Sequence, residues 1–252
     1  MAEALLAARG LVKRFGGLTA TDGVDLEARP GEVHALIGPN GAGKTTLIAQ
    51  LTGELRCDAG RVLFVGQDIT TLPAYRRARL GLARSFQITS IFPDLAVIDN
   101  AALAVQIHSG HSFRFWRSAR HDPRLQEPAL ALLERVGLAE RAAALAADLS
   151  HGEHRQLEIA LALAGAPKLL LLDEPMAGMG PEESQRMVAL LRALKGRVSI
   201  LLVEHDMDAV FALADRISVL VYGRIIASGA PAEIRADATV REAYLGAQET
   251  RR

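Results

Sequence analysis

Gly38-Pro39-Asn40-Gly41-Ala42-Gly43-Lys44-Thr45-Thr46 fits the pattern G-x-x-x-x-G-K-[ST] and follows an apolar run, Val33–Ile37. A helical pattern succeeds it, through about Gly53. Strand, glycine-rich loop and helix start, in that order, make a phosphate cradle. The glycines let several N–H groups point at one anion, and the positive end of the helix adds to them. A glycine-rich strand-to-helix turn would account for the glycines alone. It does not account for Lys44, a cation in the first helical turn, which opposes the helix dipole by about 0.3–1 kcal/mol unless a phosphate reverses the sign. Residues 38–46 are therefore expected to bind phosphate, and Thr45 to offer its hydroxyl to Mg2+.

Outward from this loop, short β-branched or leucine-rich runs alternate with helical patterns, which predicts parallel strands joined by helices, an α/β fold. Residues 61–65, 169–172 and 200–203 read as strands, the last two continuous apolar runs of the kind covered on both faces. Residues 217–222 and 224–227 flank Gly223 as a hairpin. Between Gln87 and Ser150 the character changes. Residues 93–105 and 128–136 read as helices around an irregular stretch, 108–126, so about 88–165 is expected to form a helical lobe inserted into the α/β core.

The whole chain has 252 residues, 29 basic and 29 acidic, which points away from a polyanion partner such as nucleic acid. Its one cysteine, Cys57, rules out an internal disulfide and a cysteine zinc site, and fits a reducing compartment. No signal peptide is visible in residues 1–14, and no apolar run approaches the roughly 18 residues of a membrane span. Any membrane role is expected to come through a partner.

Two more clusters fall at strand ends. Residues 169–172 run into Asp173 and Glu174, at the carboxyl edge where open α/β sheets bind ligands. Alone the pair could be the polar start of a loop. Beside a phosphate cradle, Asp173 can hold Mg2+ through its water shell and Glu174 can orient and polarise an attacking water. Residues 200–203 lead likewise into Glu204-His205-Asp206. His205 is either a satisfied polar residue or, at the same sheet edge as Asp173, a group within reach of the γ-phosphate. Finally, Leu149-Ser150-His151-Gly152-Glu153 precedes a helical run. Ser150 with Glu153 is a capping box, and the same helix start is also an anion site. It lacks a preceding strand, so the nucleotide it serves is expected to be held by another subunit.

Together these residues resemble the ABC transporter ATPase family over essentially the whole chain. Gly38–Thr46 resembles its Walker A motif, residues 170–174 Walker B, Gln87 in Ala83-Arg84-Ser85-Phe86-Gln87 the Q-loop, 149–153 the signature and His205 the switch histidine. Phe15 sits where the family stacks an aromatic on adenine, although alone it reads as a core residue of a strand. The resemblance implies a P-loop NTPase core (about 1–87 and 166–235) with a mixed sheet flanked by helices, an N-terminal antiparallel β region, the helical lobe and a tail, 236–252. It implies ATP and Mg2+, with Glu174, His205 and Gln87 catalytic. Gly38, Pro39, Asn40, Gly41, Ala42, Gly43, Lys44, Thr45 and Thr46 would hold ATP, and Thr45, Gln87 and Asp173 the metal. It also implies a head-to-tail dimer of two ATPase subunits, identical or closely related, in which Ser150 and Gly152 close on the partner's ATP.

Separate membrane permease subunits, a solute-binding protein and a peripheral place on the cytoplasmic face of the inner membrane complete what the family implies. Within it the chain looks most like the ATPases of branched-chain amino acid importers, through 83–87 with 91–95, Leu157-Glu158-Ile159-Ala160 and Ala243-Tyr244-Leu245-Gly246. The ATPase of lipopolysaccharide export is the rival, and a non-transport ABC ATPase acting on nucleic acid or ribosomes a more distant one. Two positions depart from the family pattern: His151 in Ser-His-Gly-Glu, and Gly180 in Ala177-Gly178-Met179-Gly180, where many members carry aspartate. Gly180 is given no role. In the 108–126 insert, Phe113, Phe115, Trp116 and arginines could pack on the lobe, bind single-stranded nucleic acid or touch a membrane subunit.

Overall fold

The apolar runs before the glycine loop, before Glu174 and before Glu204 are strands covered on both faces. The computed structural model describes residues 4–85, 91–108 and 122–242. In it β1 (Leu6–Phe15), β2 (Leu18–Ala28), β4 (Ala59–Phe64) and β5 (Gln67–Asp68) form an antiparallel sheet in the order β2-β1-β4-β5. A second sheet contains β3 (Val33–Ile37), β6 (Leu82–Arg84), β7 (Leu169–Asp173), β8 (Ser199–Val203), β9 (Arg216–Val221) and β10 (Arg224–Gly229). Its order is β10-β9-β3-β8-β7-β6, parallel throughout except for the β9–β10 hairpin. The expected mixed sheet and N-terminal antiparallel region are both present.

The strand period of two divides the core. Leu170, Leu172, Ile200 and Leu202 face one side, with α3 (Val97–His108), α4 (Pro123–Val136) and α5 (His151–Leu163). Leu169, Leu171, Leu201 and Val203 face the other, with α1 (Lys44–Thr52) and the antiparallel sheet. Helix α2 (Ala74–Arg79) precedes β6, α6 (Pro181–Leu194) follows β7, α7 (Met207–Leu213) follows β8, and α8 (Pro231–Ala236) and α9 (Ala238–Val240) come after β10. No helix among the described residues is long and apolar enough to cross a membrane.

Helix boundaries differ from the sequence reading for identifiable reasons. α3 starts at Val97, not at 93, because Asn100 fixes the preceding residues as a turn. Its Oδ1 accepts from the Phe92 amide (2.8 Å) and its Nδ2 donates to Phe92 O and Ala96 O (both 3.1 Å). α4 starts five residues before Pro128, at Pro123, where Asp122 caps the Arg124 amide (3.0 Å) and proline suits the first helical position. Pro128 thus lies inside a helix, and residues 123–126 belong to α4. Residues 113, 115 and 116 and the 243–246 tail lie outside the described residues.

α1, which carries Lys44, is tied down at its far end by Arg77. This buried guanidinium donates to the α1 carbonyls of Gln50 (2.8 Å) and Leu51 (2.7 Å), and to Thr70 O and Leu72 O (both 2.9 Å). A cation on the last carbonyls satisfies groups that the helix itself leaves unpaired.

Beneath the β1–β2 hairpin, His34 on β3 is fully buried. Its Nδ1–H donates to Glu27 O (2.7 Å), and its Nε2 accepts from Ser218 Oγ (2.8 Å), which in turn meets Ser228 Oγ (2.8 Å). Burial, and then the charge of Arg216, push the imidazole down from 6.5 to about 3. Between those values the unfolded chain binds a proton that the folded chain does not, so stability rises with pH there. The contribution is complete above pH 6.5 and is lost as pH falls toward 3. From about pH 6 to about pH 5, chemical denaturation should show wild type losing roughly 1 kcal/mol from this group. His34→Gln should lack that slope; equal slopes in both proteins would refute the assignment.

Candidate functional site

Three neighbouring parallel strands deliver the site. β3 runs into the glycine loop, β7 into Asp173 and Glu174, and β8, paired with both, into Glu204 and His205. Parallel strands end on the same edge, so a phosphate loop, two carboxylates and a histidine from distant parts of the chain converge there.

The loop is shaped by contacts within the chain. Gly43 has φ +102, and a Cβ on it would stand 2.1 Å from Ala20 O of β2. A Cβ on Gly38 would stand 2.0 Å from Leu220 O of β9. Only glycine lets the two strands press this closely on the loop. Gly41 also has positive φ (+79), but its Cβ position is open. Lys44 is buried, and its Nζ donates to Gly38 O (2.7 Å) and Pro39 O (3.0 Å). Burial lowers its pKa, which the charges of Glu174 and Asp173 partly offset. Thr45, next along α1, is exposed.

Asp173 is almost wholly buried and is bound by Arg84, from Nη2 to Oδ2 at 3.0 Å. Burial pushes its carboxyl up, while the Arg84 guanidinium pulls it down. Arg84 also pairs with Glu54 at 2.5 Å. Glu174 takes a left-handed conformation, φ +50, with its amide on Val203 O (2.9 Å). Its Oε1 lies 3.9 Å from His205 Nδ1, and both side chains reach solvent. A solvent-open carboxylate and imidazole this close can orient and activate a water. Among the described residues no three His, Cys, Asp or Glu side chains form a metal cluster. A metal here would draw on the Thr45 hydroxyl, Asp173 and the phosphate itself.

Ser150 and Gly152 belong to a different face. Ser150 caps α5: its Oγ accepts from the Glu153 amide (3.2 Å), and Glu153 Oε2 accepts from the Ser150 amide (2.8 Å). Among the described residues neither Ser150 nor Gly152 hydrogen-bonds to Gly38–Thr46. They border a cleft of about 410 Å³ with Gln156, Glu183 and Arg186. A Cβ on Gly152 would stand 2.9 Å from Glu183 Oε1, so glycine also lets α5 pack on α6. His151 Nε2–H donates to Ala177 O (3.0 Å), three residues before Gly180. Gly180 caps α6 with an ordinary φ of −72.

Phe15, at the tip of the β1–β2 hairpin, is 49% exposed rather than in the core, with Lys13 Nζ 5.5 Å from its ring centroid. Gln87 lies outside the described residues. Sequence reasoning missed Arg84 as the partner of Asp173. A cation at the end of a strand beside β7 was the available signal. It also missed the bonds of Glu204.

Comparison with known proteins gives the same picture. The model of the ABC transporter family matches residues 21–177, and that of the branched-chain amino acid ATP-binding cassette transporter matches residues 224–250. The high-affinity branched-chain amino acid transport ATP-binding protein LivG of Escherichia coli K12 is 40% identical, over 98% of this chain and 99% of the relative. BraF of Pseudomonas aeruginosa, described in the same words, is 38% identical over the same shares. Among solved structures, an ATP-binding cassette of an ABC transporter in its ADP conformation superposes with a TM-score of 0.85. It is 31% identical and covers 97% of this chain and all of that one. The chain belongs to the ABC transporter family, as an ATP-binding subunit with the P-loop NTPase fold that hydrolyses ATP to drive transport.

Gly41 and Gly43, both at positive φ, separate loop shape from loop packing. Gly41→Ala should cost about 1–2 kcal/mol of stability from its backbone conformation alone. Gly43→Ala adds a clash with a backbone oxygen and should cost clearly more, with loss of ATP binding. Thermal denaturation and nucleotide titration of both variants check this; equal losses would refute it.

Proposed function

We propose that this ABC ATPase drives uptake of branched-chain amino acids or a related small solute, with Glu174 orienting and polarising the water that attacks ATP. The observation that carries the reading is the convergence of Glu174 and His205, from adjacent strands, to 3.9 Å beside the phosphate loop. Residues 38–46 wrap the phosphates with backbone N–H groups, and Lys44 exchanges its loop carbonyls for phosphate oxygens. Phe15 stacks on adenine. His205 donates to the γ-phosphate, and the family resemblance assigns Gln87 to catalysis and to the metal. Mg2+ supplies positive charge to the phosphates, and Thr45 and Asp173 are the groups of this chain that would hold it. The pairing of Asp173 with a cation in Arg84 fits that role.

Ser150 and Gly152 are directed, in this reading, at an ATP held by a second ATPase subunit, a copy or a close paralogue. The capped, anion-ready start of α5 supports this, since it stands apart from the chain's own phosphate loop. The helices of 88–165 and Gln87 carry the motion to integral membrane permease subunits, fed by a solute-binding protein. The chain sits peripherally on the cytoplasmic face of the inner membrane. The match of residues 224–250 to the branched-chain amino acid model favours uptake over lipid export.

Glu174→Gln should still bind Mg-ATP, lose hydrolysis about 100-fold or more and accumulate as an ATP-bound dimer. Unchanged hydrolysis in the variant would remove Glu174 from this role.

A further inference from the structure

We infer that Glu204 is a positioning residue for ATP hydrolysis, clamping the loop that carries Glu174 onto the segment that carries His205; this rests on the catalytic reading of Glu174 above. Glu204 follows β8 and is fully buried. Its Oε1 accepts from the Met176 amide (2.9 Å), and its Oε2 accepts from the amides of His205 (3.0 Å) and Asp206 (3.5 Å). Its one ion-pair neighbour among the described residues is the His205 ring, Nδ1 to Oε2 at 3.7 Å. A buried acidic side chain ordinarily meets a lysine or arginine. This one spends its charge on backbone amides, which places it between two catalytic segments.

The clamp explains how Glu174 keeps an unfavoured conformation. With φ +50, Glu174 sits where an L residue stays only if its surroundings impose it. Consecutive residues at the end of β8 do so. Val203 O takes the Glu174 amide (2.9 Å), and the Glu204 carboxylate takes the Met176 amide two residues on. The same carboxylate fixes the His205 backbone. Glu174 and His205 therefore owe part of their mutual spacing to a fully buried side chain.

Both carboxylate oxygens face N–H groups, so glutamine cannot replace glutamate here. Its amide nitrogen would point a donor at Met176 N or at His205 N, opening one side of the clamp at nearly constant shape. A residue needed only for stability would lose fold and nucleotide affinity together. A positioning residue loses turnover while affinity, set by the loop after β3, is kept.

The test compares kcat, Mg-ATP affinity and thermal midpoint for wild type, Glu204→Gln and Glu174→Gln, using the full chain under conditions where wild type hydrolyses Mg-ATP. Glu204→Gln should lower kcat about tenfold or more, with Mg-ATP affinity within about twofold of wild type. Unchanged kcat, or a fall matched by lost affinity, overturns the inference while leaving Glu174 in place, provided Glu174→Gln is inactive. If Glu174→Gln turns over like wild type, both assignments fall. Amide exchange in wild type gives a measurement independent of the variant's folding: Met176 and His205 should exchange slowly, and fast exchange at either overturns the clamp.

Discussion

Lys44 is a cation buried at the positive end of a helix with no ion-pair partner among the described residues. Its ammonium donates to two loop carbonyls, Gly38 O and Pro39 O, and burial holds its pKa down. Asp173 and Glu174 are near enough to favour its charge, yet Asp173 is bound by Arg84 and Glu174 lies beside His205. The dipole of α1 and desolvation both oppose the charge. A phosphate answers all of these terms at once, and the rest of the site is arranged around the Lys44 ammonium.

Holding such a cation requires a rigid frame. The loop is pressed between Ala20 of β2 and Leu220 of β9, and α1 is fastened at its far end by two of the four bonds of Arg77, the other two anchoring Arg77 to residues 70 and 72. The sheet beneath is apolar on both faces. Strand order then sets the chemistry. Because β8 lies between β3 and β7, the histidine after β8 falls beside the carboxylates after β7 and near the loop after β3. Hydrolysis needs a phosphate site, a polarising carboxylate and a hydrogen-bond donor at one edge, and this order brings a glycine loop, two carboxylates and a histidine to one edge.

Motifs that combine a fixed spacing with a change of periodicity were legible in the sequence. Residues 33–53 read correctly as strand, loop and helix, and the leucine runs before Asp173 and after Val198 as doubly covered strands. Boundaries set by the hydrogen bonds of a single side chain were not legible. Asn100 delays α3, and Asp122 advances α4 past the proline that looked like its start. In the candidate site, the place of Asp173, Glu174 and His205 at the ends of strands was legible. Their supports, Arg84 and Glu204, were not, because each acts across the sheet on a residue 89 or 28 positions away. Phe15 shows the opposite case: its alternation within β1 suggests a core residue, whereas the hairpin tip leaves half of it exposed.

The most direct test of the account is a calorimetric titration of Mg-ATP into wild type and Lys44→Met, with thermal denaturation of both without nucleotide. Methionine keeps the aliphatic stem and removes the buried charge. The account predicts that Lys44→Met loses at least about tenfold in affinity while its nucleotide-free stability stays equal or rises. Unchanged affinity, or a fall in stability that accounts for the loss of binding, would contradict it.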